Sequence, residues 1–141
     1  MTPGKILQNK FLVRCGQLWP DTVRLEETGV GDAVPIAYVH QAVACIEAGN
    51  PMAAIPILRR RVKYGVKGKT DLSGFLVREI GGERVPVALG VEIKAGADRV
   101  SEIQAEYHSY LKSFNVIVLV VRDVEQGVRD LAVYAGPGES K

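Results

Sequence analysis

Apolar residues change their spacing several times along the chain, and each change predicts an element. Ile6, Leu7, Phe11, Leu12 and Cys15 recur at helical intervals, so a first helix is expected over Lys5 to Cys15. Residues 16–35 are broken by Gly16, Pro20, Gly29, Gly31 and Pro35 and read as irregular structure or a short strand around Val23 to Leu25. The alanine-rich run Ile36 to Ala48 reads as a second helix, stopped by Gly49-Asn50-Pro51. Ile55 to Tyr64 predicts a strand, interrupted near its start by Pro56.

The second half carries sharper signals. Asp71 to Arg78 reads as a strand, Gly81-Gly82 as a hairpin turn, and Val85 to Lys94 as the returning strand. Pro86 stands near the start of that strand, where a missing donor is tolerated. Gly96-Ala97-Asp98 reads as a loop. Ser101-Glu102-Ile103-Gln104 matches a capping box and opens a helix to about Phe114, with Val100, Ile103, Tyr107, Leu111 and Phe114 as its apolar stripe against the core. Val116 to Val121 predicts a buried strand. Asp123, with Gln126 three residues on, opens a last helix that ends at Gly136. Helices and strands in this order, with a β-hairpin among them, imply an α/β fold with a mixed sheet and helices on its faces.

Composition narrows the class. A chain of 141 residues with 47% hydrophobic residues is expected to form one domain, residues 1–141, with a core that needs no staples. The net charge of +2 is too mild to identify a partner, so the placement of charge matters more than its sum. Cys15 and Cys45 have no metal-ligand spacing and read as small buried residues in a reducing compartment. Met1-Thr2-Pro3-Gly4 leads directly into an amphipathic stretch, so no signal peptide is expected. The longest apolar run, Val116 to Val121, falls far short of the roughly 20 residues that span a bilayer. A cytoplasmic protein without a membrane partner is the expectation.

Three charged residues change the picture. Side chains of a strand alternate between faces, so Glu92 and Lys94 point one way while Val91 and Ile93 point the other. Charge on an otherwise apolar strand calls for a reason, because burying an unpaired charge is costly. Pairing across the Gly81-Gly82 turn can bring Asp71 close to Glu92. Two close carboxylates repel unless a cation lies between them, and Mg²⁺ accepts one or two carboxylates while keeping several waters. The backbone carbonyl of Ile93 is a further candidate oxygen. The alternative is an exposed hairpin with ordinary solvated charges. Arg59, Arg60, Arg61, Lys63, Lys67 and Lys69 precede Asp71 with no acid among them. Alternation along the expected strand puts Arg59, Arg61 and Lys63 on one face. Such a segment either grips a phosphate backbone or protects an edge strand from aggregation.

Gly68-Lys69-Thr70-Asp71-Leu72-Ser73-Gly74, then Val91-Glu92-Ile93-Lys94-Ala95, then Arg99-Val100-Ser101-Glu102-Ile103-Gln104, then the apolar strand, together resemble the PD-(D/E)-x-K nuclease superfamily. Within it the chain is most similar to the VRR-NUC family, including its small stand-alone phage-like forms, over roughly Leu58 to Val121 and more loosely over the first helix. The resemblance implies a restriction-endonuclease-like mixed central sheet flanked by helices and a metal-dependent endonuclease activity on DNA. It implies Asp71 and Glu92 as ligands of Mg²⁺ or Mn²⁺, with Lys94 as the catalytic lysine and Gln104 as an active-site glutamine. Arg59, Arg61, Lys63, Lys67 and Lys69 would then contact DNA. It also implies structure-selective cutting of branched DNA such as Holliday junctions, in DNA repair, by a homodimer whose symmetry matches a four-way junction. A restriction-type or end-processing nuclease, and a non-catalytic DNA-binding subunit, are the competing readings.

The chain departs from the family at Lys69-Thr70, where a Pro or Ser often precedes the aspartate. Gln8 stands nearest to the place where many relatives carry a first-helix glutamate. Gln104 has a second reading, as the reciprocal partner of Ser101 in the capping box. His108 reads as a helix-surface or satisfied partly buried histidine, His40 has no motif around it, and Trp19 and Tyr64 read as packing residues.

Overall fold

The computed structural model describes residues 1–28, 31–60, 62–64 and 68–139, with 31–33 and 62–64 described as backbone. The chain divides into two compact units, one of Met1–Thr28 with Lys67–Lys141 and one of Gly29–Val66.

The larger unit opens with α1 (Pro3–Leu18). Thr2 caps it by accepting from the Lys5 amide, and Pro3 stands at the first helical position, where no donor is needed. Strand β1 (Val23–Glu27) follows. Strands β4 (Leu72–Ile80) and β5 (Glu83–Ile93) form the hairpin. At its turn Gly81 and Gly82 both take positive φ, 62° and 84°, the conformation a two-residue turn of matching twist demands. Helix α4 (Glu102–Ser113), strand β6 (Ile117–Val121) and helix α5 (Val124–Ala135) complete the unit. The four strands lie in the order β1-β4-β5-β6. The first three are antiparallel, and β6 runs parallel to β5 because α4 carries the chain back across the sheet. The result is a mixed four-stranded sheet flanked by helices, as the order of elements predicts.

One face of that sheet makes the core. Phe11, Cys15 and Trp19 of the α1 region and Leu131 of α5 pack with Leu72, Leu76, Leu89, Val91, Ile93, Leu119 and Val121. The Trp19 indole donates to the Gly136 carbonyl (3.0 Å), which ties the end of α1 to the end of α5. Gly127 lets α5 approach, since a Cβ there would lie 2.8 Å from Phe11 Cε2 and 2.8 Å from Val121 Cγ1. Cys15 is a free thiol whose burial pushes its pKa up to about 12, so it behaves as an apolar packing residue.

Helix α4 differs from expectation in its rotation. Its buried residue is His108, whereas Ile103 and Phe114, two members of the expected stripe, are 53% and 66% exposed. The polar pair Gln104 and His108 turns toward the sheet because a buried carboxylate waits there. The helix ends in a Schellman arrangement: Asn115 takes φ 62°, its amide donates to Lys112, and the Val116 amide donates to Leu111.

The smaller unit contains β2 (Gly31–Ala33), α2 (Ile36–Glu47), a 3₁₀ turn (Pro51–Ala53), α3 (Ala54–Leu58) and β3 (Val62–Tyr64), with β2 and β3 antiparallel. The expected strand from Ile55 to Tyr64 is corrected here. Its first part is helical, and among the described residues of that stretch Val62–Tyr64 is strand. Pro56 explains the switch: it lies in the first turn of α3, where its missing N–H breaks no helical bond and its fixed φ suits a helix. Arg59 therefore caps a helix C-terminus, where a cation complements the dipole, and does not share a strand face with Lys63. Arg60 lies over the Tyr38 ring, 5.7 Å from its centroid. Among the described residues no helix is long and apolar enough to cross a membrane.

Candidate functional site

The hairpin turn sets the geometry of the site. Ile80 pairs with Glu83, and the ladder runs unbroken to Leu72 opposite Val91. The next rung sets Asp71 across from Glu92, on the same face of the sheet. Asp71 is anchored on both sides. Its carbonyl accepts from the Thr28 amide (2.9 Å), and its Oδ2 accepts from the Ile93 amide (2.7 Å). Because a strand residue's N–H and C=O project toward the same edge, the Ile93 carbonyl also lies on the Asp71 side.

Period-two alternation delivers the rest. Leu89, Val91 and Ile93 enter the core, while Glu92 and Lys94 face the other way and are nonetheless buried, at 1% and 6% exposure. Thr70, also buried, donates to the Leu72 carbonyl (2.9 Å) on this face and packs on Gly90. Lys94 Nζ lies 3.4 Å from Glu92 Oε1 and 3.7 Å from Asp98 Oδ2. Asp98 is held by its neighbours: the Arg99 amide donates to its carboxylate (3.0 Å) and Arg122 to its carbonyl (2.9 Å).

Helix α4 closes the site. Ser101 accepts from the Gln104 amide (3.2 Å) and the Gln104 Oε1 accepts from the Ser101 amide (3.0 Å), the reciprocal capping box the sequence predicts. The second end of the same side chain, Nε2, donates to Glu92 Oε1 (2.7 Å). The two readings of Gln104 therefore hold together: one amide caps the helix and fixes the carboxylate. One turn later His108 Nε2 lies 3.7 Å from Glu92 Oε2.

These contacts leave an imbalance. Glu92 Oε2 and His108 Nε2 are both buried without a hydrogen-bond partner. Burial, then the Asp71 carboxylate, push the Glu92 pKa up to about 7 against the opposing pull of Lys94. The His108 pKa is lowered, by burial first and then by Lys112 and Lys94, so the imidazole is neutral and does not offset the carboxylates. An unsatisfied, reluctantly ionised carboxylate oxygen beside a second carboxylate fits a divalent cation, which would supply the missing partner and counter-charge. Among the described residues no group of three or more His, Cys, Asp or Glu side chains is placed to hold a metal ion. The donor set that is present, two carboxylates without a thiolate, is of the kind Mg²⁺ takes, with waters and substrate phosphate making up the rest.

The sequence-predicted residues thus divide. Asp71, Glu92, Ile93, Lys94 and Gln104 converge at one end of the β4–β5 hairpin. Lys69, half-buried, belongs to the same unit, two residues before Asp71. Arg59 and Lys63 belong to the smaller unit, and Arg61 and Lys67 lie outside the described residues. Gln8 is buried on α1 beside Phe11 and Cys15, and among the described residues it makes no hydrogen bond to the site.

Two participants escape the sequence reading. Asp98 sits in a segment read only as a loop. His108 reads as a bland helix residue. Its spacing four residues after Gln104 is the signal that could have found it, since it puts both on one side of α4.

Comparison with known protein families, with curated proteins and with solved structures returned no match for this chain.

Proposed function

We propose that this protein is a Mg²⁺- or Mn²⁺-dependent endonuclease that hydrolyses phosphodiester bonds in DNA, selects branched DNA such as four-way junctions, and acts as a homodimer. On this reading the mixed sheet is of the restriction-endonuclease type. The observation that carries the proposal is Glu92: a buried carboxylate with a pKa of about 7 and an orphaned Oε2, between Asp71 and Lys94. Such a group opposes folding, and carboxylates with strongly perturbed pKa values cluster at functional sites.

Asp71 and Glu92 would hold the ion, with the Ile93 carbonyl on the same edge. When bound, a divalent ion polarises a phosphoryl oxygen and makes water a better nucleophile. The chain's own residues do the remainder. Gln104 fixes Glu92 Oε1 by donating Nε2, so the carboxylate presents Oε2 in one orientation. Lys94 Nζ, held between Glu92 and Asp98, orients the attacking water by hydrogen bond and neutralises charge that accumulates on the phosphoryl oxygens at the transition state. Lys69 meets the phosphate backbone before Asp71 is reached. None of these contacts reads a base, so selection falls to the shape of the DNA.

A panel of end-labelled duplex, flap and four-way substrates with Mg²⁺ or Mn²⁺ tests the proposal. Cutting of the four-way substrate in preference to duplex is expected. Equal cutting of all three refutes branch selection. DNA binding without cutting under either metal replaces the hydrolase with a binding subunit.

A further inference from the structure

Helix α4 carries a second feature, outside the group around Glu92. Ile103, Tyr107, Tyr110 and Phe114 recur at helical spacing and form a line along the helix, roughly 100° round from Gln104 and His108. Most of the line faces water: Ile103 is 53% exposed, Tyr110 57% and Phe114 66%, while Tyr107 is half-buried. The rings touch in sequence, with centroids 6.0 Å apart from Tyr107 to Tyr110 and 5.1 Å apart, edge to face, from Tyr110 to Phe114. At the N-terminal end Ile103 lies against Gly68, where an added Cβ would come within 2.7 Å of the Ile103 carbonyl, so Lys69 stands beside the start of the ribbon. The opposite flank of the helix carries the exposed carboxylates Glu102 and Glu106. Around α4 the order is therefore polar site, aromatic ribbon, acids.

We propose that the ribbon is a stacking platform for unpaired bases of a DNA strand whose backbone crosses the Glu92–Lys94 site, a proposal that rests on the hydrolase reading. Aromatic rings accept any base by its π-face, and tyrosine does so while keeping its hydroxyl in water. Charge fixes the direction of approach. Glu102 and Glu106 repel a phosphate backbone on the outer flank, while Lys69 draws it to the inner one, where a divalent ion at Asp71 and Glu92 would offset the carboxylates. Bases then project outward across Tyr107, Tyr110 and Phe114. A fully paired duplex keeps its π-faces inside its own stack and gains nothing from the ribbon. The preferred substrate class is thus DNA with unpaired bases next to the scissile phosphate, as at a flap, a fork or a junction whose central pairs have opened.

The test compares wild type with a Tyr110→Leu/Phe114→Leu double variant, which keeps the surface apolar and removes the rings. Tyr110→Phe, which keeps a ring, is the control. The probes are a fork with 2-aminopurine among its unpaired bases and a blunt duplex of equal length, bound with Ca²⁺ to offset the Asp71 and Glu92 carboxylates and followed by anisotropy and 2-aminopurine fluorescence. We expect the double variant to lose at least about tenfold in its preference for the fork over the duplex, with loss of the stacking quench, and Tyr110→Phe to retain both. Equal losses on both probes, or no loss on either, overturn the platform. So does a change in molecular mass by light scattering in the double variant, which would make the ribbon a contact between copies. If wild type cuts branched DNA and the variants keep the fork preference, only the platform falls. If the fork is bound with the expected ring dependence and nothing is cut with Mg²⁺ or Mn²⁺, only the hydrolase falls. If wild type binds neither probe, both fall.

Discussion

The two faces of strand β5 bury side chains of opposite kinds within six residues. Leu89, Val91 and Ile93 enter a core of aliphatic and aromatic groups, where each buried Å² of apolar surface stabilises the fold by about 25 cal/mol. Glu92 and Lys94, on the other face, are equally withdrawn from water, yet their burial opposes folding. The Glu92 pKa has risen to about 7, and one of its oxygens has no partner. A hydrophobic pair of similar volume would serve stability as well or better. One face is explained by packing; for the other we propose a chemical task. Substitutions on the two faces should therefore fail in different ways.

The largest contrast is expected at Lys94. Lys94→Ala should lower DNA cutting by about 10³-fold or more while leaving DNA affinity within a few-fold of wild type, measured by cleavage rates and anisotropy on the same four-way substrate. A parallel loss of affinity would assign Lys94 to binding and erase the distinction between the faces. On the core face, Leu89→Ala should cost about 2–5 kcal/mol in denaturant unfolding. At temperatures where that variant stays folded, its cutting should remain near that of wild type.

Glu92 gives the sharpest difference, because its substitution should raise stability and remove activity together. A folded-state pKa of about 7 lies above the ordinary carboxylate value of 4.5. The native state therefore binds the extra proton, and the stability this provides is complete below about pH 4.5 and lost as pH rises through about 7. Glu92→Gln removes the titration. Without metal it should match wild type near pH 5 and exceed it at pH 8 by up to about 3 kcal/mol, while cutting disappears. Equal pH dependence of the two proteins in urea unfolding would show that the buried carboxylate is not strained. The smallest effect separates the two tasks of Gln104. Ser101→Ala and Gln104→Ala should each cost about 1 kcal/mol through loss of the cap. Only Gln104→Ala should also reduce cutting, by about tenfold, since only it releases Glu92 Oε1. Equal cutting in both would reduce Gln104 to a capping residue.

Much of the site was legible because local rules fix it. The Gly81-Gly82 turn sets the hairpin register, the register sets Asp71 across from Glu92, and alternation sends Glu92 and Lys94 to one face. The same holds for α4, whose start is written in Ser101 and Gln104. What local rules could not fix was the rotation of that helix. Its apolar line, Ile103 to Phe114, pointed to the core by hydrophobicity alone, but Gln104 and His108 face the sheet to meet a buried carboxylate. His108 was thus passed over, as was Asp98, whose role depends on the fold of its loop around Arg122. In the smaller unit, Ile55 to Tyr64 reads as a strand, and the backbone constraint of Pro56 prevails over its first part instead.

The central claim is that Asp71 and Glu92 share a divalent ion beside Lys94. A crystal grown with Mn²⁺ and examined for anomalous density tests it most directly. The account predicts one strong peak between the two carboxylates, lost in Asp71→Ala. Ordered Asp71 and Glu92 side chains with no peak between them, and Lys94 still paired to Glu92 Oε1, would contradict it.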